Sequence, residues 1–217
     1  MTGPLDQTTA AGAAPLVGVL ALQGDFADHQ AALGATGLRS RQVKAPADLR
    51  GVDALVLPGG ESTTMLKLLE VEGLWGPLGA ALHSGVPVLA TCAGMILLAR
   101  HVENPVQRSY AMLPLTVVRN GYGRQCRSGT FALAVESAEL PAAMSGTFIR
   151  APRVTGVHGP CEVLARRDGD PVLVRQGQLL AAGFHPELVA GHPVSRLFAD
   201  MVRAYVRRRE ASAFVGR

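Results

Sequence analysis

Runs of uninterrupted hydrophobic residues, each stopped by a polar or glycine-rich break, organise the first hundred residues of the chain. Leu16-Val-Gly-Val-Leu-Ala-Leu22 is apolar without alternation, the pattern of a strand buried on both faces. Gln23-Gly24-Asp25 breaks it, and Asp25 is placed to cap a helix running to about residue 33. Residues 52–57, apolar except for Asp53, form a second strand-like run, which stops at Pro58-Gly59-Gly60. Ser62 or Thr63 is then predicted to cap a helix to about residue 70. A further helix over 74–83 leads into an apolar strand over 86–90. Strand and helix thus alternate, as in an open parallel sheet covered by helices on both faces.

From residue 113 the rhythm shortens. Segments 115–119, 130–135, 147–150, 162–166, 172–175 and 179–184 are β-rich and separated by turns, which predicts an antiparallel extension beside the parallel sheet. A last helix over 194–208 carries Leu197, Met201, Ala204 and Tyr205 at helical spacing and packs one face on the sheet. The expected fold is therefore α/β, a three-layer open and mostly parallel sheet with an antiparallel extension. A single domain is expected over 16–206, after a disordered leader at 1–15 and before a basic flexible tail at 207–217.

Composition narrows the function classes. The chain has 217 residues, 48% of them hydrophobic and 18% charged, which suits one packed domain with a sizeable core. No apolar stretch approaches the roughly 20 residues that a membrane span needs, and the N-terminus lacks the basic start and apolar core of a signal peptide. A cytoplasmic protein is expected. The formal charge of +4 is carried by the five arginines and one glutamate between Arg203 and Arg217. Basic residues interleaved with aromatics over one face are missing, so neither nucleic acid nor membrane is expected as a partner. Three cysteines without a C-x-x-C pair support neither a disulfide framework nor zinc, and no metal or cofactor is expected.

One of those cysteines has a context. Cys92 lies just past the strand over 86–90 and opens a helix-like run, the shape of a nucleophile elbow. Ala90-Thr-Cys-Ala-Gly94 is a thiol version of the G-x-S-x-G motif, with Ala90 in place of the first glycine. Phe184-His185-Pro186-Glu187 lies at the end of another apolar strand, where open α/β sheets collect their ligand-binding groups. Pro186 restricts His185 to an extended conformation, in which residues i and i+2 share a face, so both His185 and Glu187 can turn to one site. Cys92 is the expected nucleophile, His185 the base and then acid, and Glu187 the carboxylate that orients the imidazole. The other five histidines lack an acid in a comparable position, and Cys126 and Cys161 lack a comparable frame. The Gly60 amide, where no Cβ obstructs a ligand, and the Ala93 amide are candidates for an oxyanion hole.

Six segments occur in one order: Leu22-Gln-Gly24, Leu57-Pro-Gly-Gly-Glu-Ser-Thr-Thr64, Thr91-Cys-Ala-Gly-Met-Ile-Leu-Leu-Ala99, Arg119-Asn-Gly-Tyr-Gly-Arg-Gln125, Phe148-Ile-Arg-Ala-Pro152 and Phe184-His-Pro-Glu-Leu188. Over about residues 16–205 the chain closely resembles the glutaminase subunits of the two-component pyridoxal 5′-phosphate synthases, the PdxT/SNO family of class I (triad) glutamine amidotransferases. The cysteine and His-Pro-Glu segments are common to many triad amidotransferases, whereas the Gly-Gly-Glu-Ser-Thr-Thr, Arg-Asn-x-x-Gly-Arg-Gln and Phe-Ile-Arg-Ala-Pro segments are much more specific to this subfamily. The resemblance implies a flavodoxin-like fold and hydrolysis of L-glutamine to L-glutamate and ammonia through a Cys92 thioester. It implies substrate contacts from Gly60, Glu61, Ser62, Arg119, Ile149 and Arg150. An arginine fork suits an α-carboxylate and Glu61 an α-ammonium, without the sequence assigning which group meets which. It also implies a partner, the barrel-shaped synthase subunit that receives the ammonia in a large hetero-oligomer and activates the glutaminase on docking. The alternatives are a triad glutaminase serving another synthase and a non-enzymatic module on the same fold.

Overall fold

The computed structural model describes residues 14–122 and 128–215. Five strands build the parallel half of a nine-stranded sheet: β1 (Leu16–Leu20), β2 (Arg39–Val43), β3 (Ala54–Leu57), β4 (Val88–Thr91) and the late strand β12 (Leu179–Ala182). Their order is β2-β1-β3-β4-β12, the doubly wound flavodoxin order, with every neighbouring pair parallel. The central strands are buried from end to end, which explains their continuous apolar sequences.

Helices α1 (Phe26–Ala35) and α5 (Pro193–Val215) cover one face through Leu33, Val194, Phe198 and Val202. Helices α2 (Ser62–Val71), α3 (Trp75–His83) and α4 (Ala93–Leu98) cover the other through Met65, Leu69, Leu78 and Leu97. Each fully buried Leu or Phe here contributes about 1.5–3 kcal/mol. Beyond β12 the sheet continues antiparallel through β11 (Asp170–Gln176), β10 (Glu162–Arg167), β7 (Gly129–Val135) and β8 (Ala143–Phe148). This is the expected extension.

Three strands lie outside the hydrophobic reading. β2 is an edge strand of sequence Arg-Ser-Arg-Gln-Val, too polar to stand out. β5 (Ala99–Glu103) and β9 (Arg153–Val157) flank β6 (Leu113–Val118) in a separate three-stranded sheet, in place of a single extension. The 207–217 tail is also revised: α5 continues to Val215. Its Arg- and Ala-rich sequence favours helix, and Arg209 pairs with Asp53 at 2.7 Å. Cys126 and most of the expected leader fall outside the described residues. No described helix is long and apolar enough to cross a membrane.

Candidate active site

Four adjacent parallel strands end on the same side, and the loop after each carries a candidate residue. β1 is followed by Gln23 and Asp25, β3 by Gly59 to Ser62, β4 by Cys92 and β12 by His185. They border a cavity of about 280 Å³, whose lining includes Gly60, Glu61, Ser62, Cys92, Arg119, Ile149, Arg150 and His185. Apart from Ala93, every residue expected to touch a ligand is therefore in one place. Glu187 sits behind His185, and Ala93 is buried at the first position of α4.

Cys92 occupies the sharp turn that the sequence suggests. Its φ is 46° and its ψ is −102°, a conformation that costs a non-glycine residue about 1–3 kcal/mol. The surroundings hold it: its amide donates to Ala182 O at 2.8 Å, and its carbonyl accepts from Ile96 N at 3.3 Å. The turn also depends on Gly94, where an added Cβ would collide with the carbonyl oxygen of Leu57. Cys92 Sγ points into the cavity 4.0 Å from Ile149 O.

His185 is fixed by its own amide, which donates to Thr147 O on β8 at 2.8 Å. Its Nδ1 lies 2.8 Å from Glu187 Oε1. The pairing is the expected one, but the backbone reason differs. Pro186–Leu188 is a 3-10 turn, so Glu187 reaches back along a helical curl and not along an extended strand. The imidazole leaves so little room that an added Cβ on Gly59 would strike its Cε1. Its Nε2 is buried and has no hydrogen-bond partner among the described residues.

Sequence reasoning missed two contributors. Asp25 heads α1 but its side chain makes no capping bond. Instead its Oδ2 stands 3.3 Å from His185 Nδ1, a second carboxylate beside the same nitrogen. Burial opposes a charge on His185, yet Asp25, Cys92 and Glu187 outweigh it and raise the imidazole to about 12. The same imidazole holds Asp25 below the usual carboxylate range. The second is Gln23, whose Oε1 accepts from the Glu61 amide at 2.8 Å and fills the space over Gly60, where a Cβ would meet it at 2.6 Å. Its sequence signals are the Q-G-D break at a strand end and its place in the Leu22-Gln-Gly24 segment, neither of which assigns it a role.

Glu61 corrects another expectation. It is Glu61, not Ser62 or Thr63, that caps α2, accepting from the amides of Thr63 at 3.1 Å and Thr64 at 2.7 Å. Arg119 Nη2 donates to Glu61 Oε1 at 2.7 Å, and its Nη1 donates to Thr63 Oγ1 at 2.9 Å. Burial would raise the Glu61 carboxyl, but the Thr64 hydroxyl and amide and the Thr63 amide lower it to about 2. Ser62, also buried, donates its hydroxyl to Gln107 Oε1 at 3.0 Å. Arg150 has a φ of 43° just past the end of β8, which ends at Phe148 and not at Arg150. Asp25, His185 and Glu187 have potential metal-ligand atoms within 4.8 Å of one another, but the short Glu187–His185 hydrogen bond already uses that spacing.

The arrangement can perform nucleophilic acyl chemistry. A thiol at a strained elbow, an imidazole with one free nitrogen and a buried carboxylate on the other meet at one cavity. Comparison with known proteins decides the family: a model of the SNO glutamine amidotransferase family matches residues 19–204. The chain belongs to that family. A curated relative named pyridoxal 5′-phosphate synthase subunit PdxT, from Streptomyces coelicolor, is 50% identical over 192 residues, covering 88% of this chain and 95% of its own. One of the same name from Mycobacteroides abscessus is 48% identical, over 88% of this chain and 98% of its own. A solved glutamine amidotransferase superposes with a TM-score of 0.78 at 41% identity, covering 86% of this chain and 98% of the other. Another, from Thermotoga maritima, is only 14% identical and shares the fold, with a TM-score of 0.58 over 92% of this chain and 85% of its own.

Proposed function

We propose that this chain is the glutaminase subunit of a pyridoxal 5′-phosphate synthase, with Cys92, His185 and Glu187 as its triad. The observation that carries the reading is the convergence of these three with Gly60, Glu61, Arg119, Ile149 and Arg150 at one set of strand ends. The name shared by the S. coelicolor and M. abscessus relatives supports the acceptor.

In this reading the Cys92 sulfur, its proton already resting on His185 Nε2, attacks the side-chain amide carbon of L-glutamine. The Gly60 and Ala93 amides hold the developing oxyanion, a contribution worth roughly 10²–10³ in rate per donor. His185 returns the proton to the leaving nitrogen, releasing ammonia and a γ-glutamyl thioester on Cys92. Water, deprotonated by the same nitrogen, attacks the thioester, and L-glutamate leaves as the Cys92 sulfur and the protonated His185 are regenerated. Glu187 keeps the imidazole oriented and offsets its charge throughout. Ammonia goes to the barrel-shaped synthase subunit in a cytoplasmic hetero-oligomer.

Glutaminase assay with and without that synthase subunit tests the proposal. Wild-type chain in the complex is expected to turn over glutamine, and Cys92→Ala to lose turnover by at least ~10⁴-fold. Turnover retained in Cys92→Ala removes the triad assignment. Activation by a different synthase, and not by the pyridoxal one, removes the acceptor assignment.

A further inference from the structure

Behind the triad lies a buried histidine that the reaction as written does not use. His29, on the first turn of α1, is 2% exposed and does not line the cavity. Its Nε2 is 3.0 Å from Thr91 Oγ1 and 3.4 Å from Glu187 Oε2. Glu187 Oε2 is itself buried and makes no hydrogen bond among the described residues, while Oε1 is engaged by His185. We infer that His29 is a positioning residue of the triad: its Nε2–H holds the outer oxygen of Glu187 and ties that carboxylate to Thr91, the residue preceding the nucleophile.

Three features support this role. First, both neighbours of Nε2 are oxygens and one belongs to a carboxylate, which only accepts, so the proton belongs on Nε2, hydrogen-bonded to Thr91 Oγ1 and close enough to Glu187 Oε2 to attract it electrostatically. Second, the contacts close a ring. Thr91 leads covalently to Cys92, His185 takes Glu187 Oε1, and His29 joins Glu187 Oε2 back to Thr91. A shift of α1 or of the 186–188 turn is thereby coupled to the elbow. Third, Glu187 has a competitor, because Asp25 Oδ2 is 3.3 Å from the same His185 nitrogen. A carboxylate held by one oxygen can rotate and surrender that nitrogen, whereas one held at both oxygens cannot. Burial also pushes His29 below its usual value, against the pull of Glu187, so the ring stays neutral and adds no charge behind the triad.

The inference rests on the triad reading above, and its test separates the two. In the complex with the synthase subunit, His29→Asn, whose amide stops short of Glu187, is expected to lower kcat roughly 10–100-fold, the loss typical when a group orienting a functional side chain is removed. KM for glutamine should stay within about twofold, since His29 does not line the cavity. His29→Gln, whose amide nitrogen reaches the place of Nε2, should restore most of kcat. Melting temperatures of both variants identify any that do not fold, and Thr91→Val, which removes only the hydroxyl anchor at nearly constant volume, repeats the kcat-selective loss independently of them. Wild-type kcat in folded His29→Asn or Thr91→Val overturns the inference, as does a loss expressed in KM or an equal loss in His29→Asn and His29→Gln. Activity surviving in Cys92→Ala overturns the triad and the inference together. An inactive Cys92→Ala beside a fully active His29→Asn overturns the inference alone.

Discussion

The part of the cavity built by Cys92, His185 and Glu187 is held in place by packing and backbone bonds while its reactive atoms are left free. His185 Nε2 is buried without a hydrogen-bond partner among the described residues, and Cys92 sits in a strained turn. The part built by Glu61 and Arg119 is the reverse. Those side chains are more exposed, at 40% and 13%, and they satisfy each other and the start of α2. The contrast separates two kinds of preparation. Reacting groups are positioned in advance with their valences unfilled, so that the transition state completes them. In the proposed reading the binding groups wait as a neutral ion pair, and an incoming ligand with one carboxylate and one ammonium would exchange partners with them. Part of its binding energy is consumed in opening that pair.

If the first part serves chemistry and the second serves binding, damage to each should appear in a different kinetic constant. Glu187→Gln keeps the shape but removes the charge that faces His185 Nδ1, and it allows the wrong tautomer. It is expected to lower kcat by roughly 10²–10⁴ with little change in KM, measured as glutamate formed in the complex. A dominant change in KM would erase the contrast. Arg119→Ala removes the fork that holds Glu61 and Thr63. Its expected effect is smaller and falls elsewhere: KM for glutamine rises about 10–100-fold, as for loss of a charge-assisted pair worth 1.5–3 kcal/mol. Glu61 remains fixed by the Thr63 and Thr64 amides, so kcat should change less than KM. A variant with normal KM and reduced kcat would move Arg119 to the chemical side.

The same contrast explains what can be read from the sequence. The strand ends are legible because their strands are apolar on both faces, and β1, β3, β4 and β12 all contain the expected runs. Cys92 is legible because an elbow needs small neighbours, and His185 and Glu187 because they are two residues apart. What stays hidden depends on distance in the chain. His29 is 158 positions from Glu187, and nothing local in Ala27-Asp28-His29-Gln30 signals that its ring closes behind another strand's carboxylate. Asp25 reads as a helix cap because Asp before a helix often is one. Its carboxylate turns to His185 instead, and the capping role passes on the next helix to Glu61, a residue whose length suits both the amides and Arg119. The β5-β6-β9 sheet is hidden for a different reason. Its strands are short, and β5 buries only Ala99 and Val102, too few positions to establish a period.

The two histidines on the catalytic side offer the finest division of the comparison, because they are both buried and shifted in opposite directions. Burial alone lowers a histidine, and it governs His29, where Glu187 only partly offsets it. At His185 burial is outweighed by Asp25, Cys92 and Glu187, and the imidazolium is favoured. The linkage signs follow. Stability from His185 is fully present below its unfolded value near 6.5 and is lost as pH rises from there toward the raised folded value. Stability from His29 is present above 6.5 and is lost as pH falls through its lowered folded value. Histidine-selective NMR across about pH 5.5 to 9 on the free chain, a window bracketing the ordinary histidine range, should therefore show the His185 ring protonated throughout. The His29 ring should be neutral at 6.5 and above, with any protonation confined to the acid side of that value. His185→Gln should flatten the fall of melting temperature with rising pH over this range, while His29→Gln should leave it in place. If His185 instead titrates near 6.5, its two carboxylate neighbours do not act on it together, and the reserve of charge on the catalytic side reduces to the single contact with Glu187.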